Sequence, residues 1–105
     1  MNKKLDRMEK KISSIKRQLL TIGEMRPGSL TKQYVKPKEK KGAYWQLSYT
    51  YKMKSRTEYI KSDFVPQLQQ QIKEFKKFKL LMQQWIDLAI EYSRLKIELA
   101  KKDKS

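Results

Sequence analysis

Between Pro66 and Lys102 the sequence contains no glycine and no further proline. Apolar side chains recur there at Leu68, Ile72, Phe75, Phe78, Leu81, Trp85, Leu88, Tyr92, Leu95 and Leu99, in steps of three and four. That spacing keeps them on one side of a helix. Ser62 or Asp63 can cap it, and Pro66 suits its first turn, so the helix is expected over 63–102. At 1.5 Å per residue it is on the order of 55 Å long. A second stripe of Met82, Ile86, Ala89 and Ile90 widens its apolar surface. A helix apolar on two sides needs two partners, and Trp85, where the stripes meet, is expected to be buried.

One partner precedes it in the chain. Leu5, Met8, Ile12, Ile15, Leu19 and Ile22 alternate in steps of three and four, and lysines and arginines fill the other faces. This is a narrow coiled-coil seam, which predicts a helix over 3–22 ending at Gly23 as a C-terminal cap. The two helices are expected to pair as an antiparallel coiled coil. The first is only about 30 Å long, so part of the second is left to the hairpin or to a second copy of the chain. A homodimer is the expectation.

The middle of the chain changes character. Met25-Arg-Pro-Gly-Ser29 reads as a turn, and Lys36-Pro-Lys-Glu-Lys-Lys-Gly42 as a basic loop. Residues 25–42 are thus a turn and basic connector, with Leu30–Val35 a candidate edge strand. Residues 43–61 are rich in aromatic and β-branched side chains and predict a β-hairpin. In its first strand Trp45, Leu47, Tyr49 and Tyr51 point one way, and Tyr44, Gln46, Ser48 and Thr50 the other. The turn has no Asn-Gly or Asp-Gly signal. A loop of Met53-Lys54 would pair Leu47 with Ile60, and one of Lys52–Lys54 would pair it with Tyr59. The two registers differ by one residue and invert the faces of the second strand, so the face that Arg56 and Glu58 share is left open. The fold expected is α+β in a single domain of 1–105: helix, basic connector, hairpin of two or three strands, long helix.

Charge separates the function classes. The chain carries 26 basic and 11 acidic side chains, net +15. Residues 1–25 hold seven basic and three acidic groups, 26–62 ten and two, and 63–105 nine and six. The middle third, at +8, carries more than half of the excess. Such a field attracts polyanions. Seven of the eleven aromatic residues lie in or beside the same segment: Tyr34, Tyr44, Trp45, Tyr49, Tyr51, Tyr59 and Phe64. Cations can neutralise phosphates and rings can stack on unpaired bases. The alternation, however, favours a core role for the rings on the Trp45 side.

The candidate nucleic-acid-binding residues are Lys36, Lys38, Lys40, Lys41, Lys52, Lys54, Arg56 and Lys61, with Gln46, Ser48 and Thr50 as groups able to hydrogen-bond base edges. DNA is favoured slightly over RNA, because two-stranded ribbons enter the DNA major groove. The competing reading is a helical assembly or adaptor protein that binds another protein through its coiled-coil surfaces.

Catalysis finds little support. Without histidine or cysteine the chain lacks the commonest base, the best nucleophile and most transition-metal ligands. Asp87 and Glu91 sit one turn apart, but a solvated helix face explains them. No Gly-rich phosphate loop is present. The expectation is a non-enzyme with no cofactor and no metal. No run approaches 18 apolar residues, and the N-terminus has no apolar core of a signal peptide. A cytoplasmic protein with no membrane contact is expected.

The residues Met25-Arg-Pro-Gly-Ser-Leu30, Tyr34, Gly42-Ala-Tyr-Trp-Gln-Leu-Ser-Tyr-Thr-Tyr51, Lys54-Ser-Arg56, Tyr59-Ile60 and Val65 resemble a family of small uncharacterised prokaryotic proteins. Its marks are a Gly-Ser-Leu turn, a Tyr-rich Gly-x-Tyr-x-x-Leu-Ser hairpin and a long charged C-terminal helix. The resemblance covers roughly residues 25–95 and implies the same architecture. It implies a metal only for relatives with cysteines in the connector, and residues 35–41 here have none. It implies no activity.

Overall fold

The computed structural model describes residues 2–103. Their order is α1 (Lys3–Leu20), β1 (Ser29–Lys36), β2 (Lys41–Tyr51), β3 (Lys54–Ile60), a 3-10 turn at Ser62–Phe64, and α2 (Val65–Asp103). This is an α+β arrangement. The chain divides into two compact units, one of residues 1–22 with 77–105 and one of residues 23–76, and α2 contributes to both.

In the helical unit, Asn2 caps α1, its side-chain oxygen accepting from the backbone N–H groups of Lys4 (2.9 Å) and Leu5 (3.2 Å). This satisfies two of the four donors a helix start leaves open. The seam reads as expected: Met8 and Ile15 are buried, and Leu5, Ile12 and Leu19 half-buried. The far end differs from expectation. The helix stops at Leu20, and Thr21, not Gly23, closes it. Both the hydroxyl (2.7 Å) and the N–H (3.1 Å) of Thr21 donate to the Gln18 carbonyl, so no left-handed glycine is required.

Alongside α1 runs the C-terminal part of α2. The Tyr92 hydroxyl donates to Glu9 Oε1, and Lys16 Nζ stands 5.3 Å over the Trp85 ring, so the two segments lie antiparallel. Leu81 is buried here, whereas Trp85 is only half-buried. The expected burial of Trp85 is therefore corrected: one turn beyond Leu81, its ring lies under the Lys16 ammonium, a group that keeps its own water, and stays partly open to solvent. Ile86, Ile90 and Ile97 remain exposed.

In the other unit the three strands form an antiparallel sheet in the order β1-β2-β3. Most of the expected connector is thus strand: β1 pairs along its length with β2, from Ser29↔Ser48 to Lys36↔Lys41. Pro37 falls just past the strand, in a four-residue turn where its missing N–H costs nothing.

The register of the second hairpin matches neither expectation. Tyr51 pairs with Lys54, and the loop is Lys52-Met53. Both residues have positive φ (50° and 66°), as a type I′ turn requires. Ordinary side chains there take up the conformation that suits the twist of the flanking strands, without the usual glycine. Leu47 consequently faces Glu58, and Ile60 faces Trp45.

Leu47 is fully buried and packs with Leu68 and Ile72 of α2, while Leu30, Tyr49 and Ile60 close around them. Burial of a leucine of this kind contributes about 1.5–3 kcal/mol. Glu58 is tolerated beside this core because Arg26 reaches it (2.5 Å) and the Tyr49 hydroxyl lies 3.5 Å away. The Arg26 guanidinium also stacks over Tyr49, 5.0 Å from the ring centroid, and its backbone N–H donates to the Gln71 carbonyl (3.0 Å). Arg26 thereby ties the turn before β1 to both β3 and α2.

Candidate nucleic-acid interface

A strand alternates its side chains between faces, so the register fixes what the sheet presents away from Leu47. Across the strands that outer face reads Ser29–Ser48–Thr57, then Thr31–Gln46–Tyr59, with Gln33–Tyr44 toward one end and Thr50–Ser55 toward the other. Val35 and Gly42 complete it beside the four-residue turn. Among the described residues none on this face is charged. Most are exposed, with Tyr44 and Gln46 half-buried. The Gln33 amide donates to Thr31 Oγ1 (3.4 Å), and the rings of Tyr44 and Tyr59 meet at 5.7 Å between centroids, tilted by 57°.

The charges of this unit lie elsewhere. Lys32, Lys54, Arg56 and Glu58 belong to the Leu47 side of the sheet. Lys36, Lys38, Lys40 and Lys41 gather at the β1–β2 turn, where the N–H groups of Glu39 and Lys40 donate to the carbonyls of Lys36 and Pro37. Lys52 and Lys54 gather at the β2–β3 turn. These tips lie at opposite ends of β2, whose eleven residues span roughly 34 Å at about 3.4 Å per residue. That separation exceeds the ~8 Å Debye length at physiological ionic strength, so each tip acts on its own surroundings.

Of the residues singled out from sequence, Gln46, Ser48 and Thr50 therefore share the uncharged face. The lysines divide between its two ends. Arg56 lies opposite Tyr49 on the other face, and Lys61 follows the end of β3. Tyr44 was placed on this face by the alternation of β2, whereas Thr31, Gln33, Ser55, Thr57 and Tyr59 were not singled out for it. Alternation within Leu30–Val35 could have found Thr31 and Gln33, and the expected Met53-Lys54 loop, which pairs Leu47 with Ile60, already puts Ser55, Thr57 and Tyr59 on this face.

A family model described as Domain of unknown function (DUF6788) matches residues 1–70. The chain belongs to this family. The DUF6788 match takes in α1, the whole sheet with both tips, and the start of α2. It begins earlier and ends earlier than the expected span of roughly 25–95, and it includes every residue of the uncharged face. Comparison with curated proteins and with solved structures gives no match. Among the described residues no helix is long and apolar enough to cross a membrane.

Proposed function

We propose that this DUF6788 chain is a small, non-catalytic nucleic-acid-binding protein, with DNA favoured over RNA. One observation carries the reading: an uncharged hydrogen-bonding sheet face, framed at both ends by lysines, in a chain where 35% of residues are charged. A sheet face that serves only to be solvated has no need to exclude lysine and glutamate. Edge strands in particular use such charges to discourage pairing with other chains. Here β1 and β3 are both edges; on this face β1 presents Ser29, Thr31 and Gln33, and β3 presents Ser55, Thr57 and Tyr59.

The chemistry is that of base-edge recognition flanked by phosphate neutralisation. Gln, Ser and Thr donate to and accept from base edges without carrying a charge into the groove. Lys36, Lys38, Lys40 and Lys41 at one end, and Lys52 and Lys54 at the other, neutralise phosphates. Beyond Ser29 the β2–β3 tip is only two strands wide, the width that the DNA major groove of about 12 Å admits. The prokaryotic source and the Gly-Ser-Leu turn as a family mark belong to the same proposal.

Charge reversal tests it. Lys38, Lys40 and Lys41→Glu, or Lys52 and Lys54→Glu, should each weaken binding to duplex DNA. Every phosphate left without its lysine should flatten the plot of log affinity against log salt by about 0.9. Lys101 and Lys102→Glu, at the far end of α2, should do much less. Equal effects from all three variants would reduce the lysines to a diffuse solubility device.

A second reading rests on the helical unit, where Ile86, Ile90 and Ile97 are exposed on α2. An adaptor or assembly protein would use these residues to bind a partner or a second copy, with α1 and α2 paired as an antiparallel coiled coil. Such an interface would respond weakly to salt.

A further inference from the structure

Where β3 ends, the chain turns sharply through Ser62–Phe64 into α2, and this brings two aromatic side chains to the rim of one open cleft. The cleft, about 380 Å³ in volume, is lined by Tyr59, Ile60, Phe64, Gln67, Leu68 and Gln71, with Lys61 at its mouth. We infer that it holds one unpaired nucleobase of a strand lying along the sheet. The inference rests on the nucleic-acid reading above and names what that surface takes at its edge.

The lining suits a base in each respect. Tyr59 is 78% and Phe64 54% exposed, a large apolar ring surface to leave in water. Rings at a cleft rim offer the π-face on which any base can stack. Ile60 and Leu68 provide an apolar floor. Gln67 and Gln71 supply amide groups able to meet a Watson–Crick edge. Gln71 is held in place, since its side chain donates to Glu24 (3.1 Å) and its carbonyl accepts from Arg26. The volume equals that of roughly a dozen waters at about 30 Å³ each, ample for a planar base of about ten non-hydrogen atoms.

Position supports the assignment as well. Tyr59 belongs to the uncharged face, its ring against that of Tyr44, and also lines the cleft, so one residue is common to both surfaces. The Lys61 ammonium at the mouth can meet the phosphate that follows the inserted base. An acidic peptide could satisfy Lys61 alone, but it would leave both rings and both amides without matching groups.

The test compares a fully paired DNA duplex with the same duplex carrying a short unpaired overhang, and with single-stranded DNA and RNA of the overhang sequence, by fluorescence anisotropy at fixed low salt. The overhang should raise affinity about 5- to 150-fold, the range that base–aromatic stacking supports. Phe64→Ala should remove most of that gain while leaving the affinity for the paired duplex unchanged, and Tyr59→Ala should remove most of the gain as well, over and above any loss of duplex affinity from its place on the uncharged face. Tyr59→Phe and a circular-dichroism melt serve as controls, since stacking does not need the hydroxyl. Phe64→Leu removes the ring while keeping apolar volume, should Phe64→Ala disturb the turn. The two single strands identify whether the base comes from DNA or RNA. An overhang that adds nothing, or a gain that survives removal of both rings, overturns the inference and leaves the sheet reading standing. Failure of every nucleic acid to bind at low salt overturns both.

Discussion

Gly28 offers the sharpest test of how the sheet is seated on its helix. Its φ is +139°, a region that L side chains rarely adopt, and a Cβ placed on it would lie 2.7 Å from Leu47 Cδ1 and 3.1 Å from the Ser48 carbonyl oxygen. Leu47 is the fully buried centre of the core and packs against Leu68 and Ile72. Gly28→Ala therefore combines backbone strain of about 1–3 kcal/mol with overpacking of about 1–3 kcal/mol. The sum, about 2–6 kcal/mol, is comparable with the whole stability of a small domain. Gly23→Ala is the control. No atom lies within 4 Å of the added carbon, and φ is not in the positive region, so it should be neutral or stabilising by up to about 1 kcal/mol.

The assay is urea unfolding followed by Trp45 fluorescence in a Trp85→Phe background. With an m-value of about 2 kcal/mol per M, Gly28→Ala should lower the midpoint by at least about 1 M. Leu47→Ala alone should cost about 2–5 kcal/mol. Combined with Gly28→Ala it should cost less than the two added together, because the atom in the way has gone, and the coupling should be about 0.5–3 kcal/mol. A Gly28→Ala protein with an unchanged midpoint, or strict additivity in the double variant, would refute the close approach of Gly28 to Leu47.

Two further outcomes follow from the helical unit. The hydrogen bond from Tyr92 to Glu9, then desolvation and the charges of Glu9 and Asp6, hold the Tyr92 phenol above its ordinary pKa. The neutral form is thus favoured in the folded state. Its contribution is complete below the unfolded value near 10 and is lost as pH rises through the higher folded one. Wild type should exceed Tyr92→Phe in urea midpoint at pH 8, and the gap should close under alkaline conditions; a gap independent of pH would count against the hydrogen bond. The exposed Ile86, Ile90 and Ile97 are expected to support a dimer at micromolar concentration. Light scattering should show its mass fall to that of the monomer in Ile86→Glu/Ile90→Glu, and a wild-type monomer mass throughout a hundredfold concentration range would exclude it.

Much of the architecture was legible because it rests on periodicity. The three-four seam of α1 marks Met8 and Ile15, and that of α2 marks Leu68, Ile72 and Leu81, all of them buried. The alternation of β2 assigns Leu47 to one face and Gln46, Ser48 and Thr50 to the other, whatever the strand pairs with. The register was not legible, because it depends on Lys52 and Met53 adopting positive φ, a conformation that neither residue type advertises. The observed register lies two residues from the expected Met53-Lys54 loop and so keeps its faces for Arg56, Glu58, Thr57 and Tyr59, and one residue from the Lys52–Lys54 loop, which would have inverted them. The cleft beside β3 was hidden for a related reason: Tyr59 and Phe64 share a rim only because of the tight turn between them.

The central claim is that the two lysine tips and the face between them engage a polyanionic strand. Its most direct test is the salt dependence of the wild-type protein's affinity for duplex DNA, titrated from low to physiological ionic strength. Engagement of four to six phosphates by Lys36, Lys38, Lys40, Lys41, Lys52 and Lys54 gives a slope of log affinity against log salt between about −3.6 and −5.4. A slope near zero, or no measurable binding at the lowest salt, would contradict the claim and leave the exposed face of α2 as the protein's working surface.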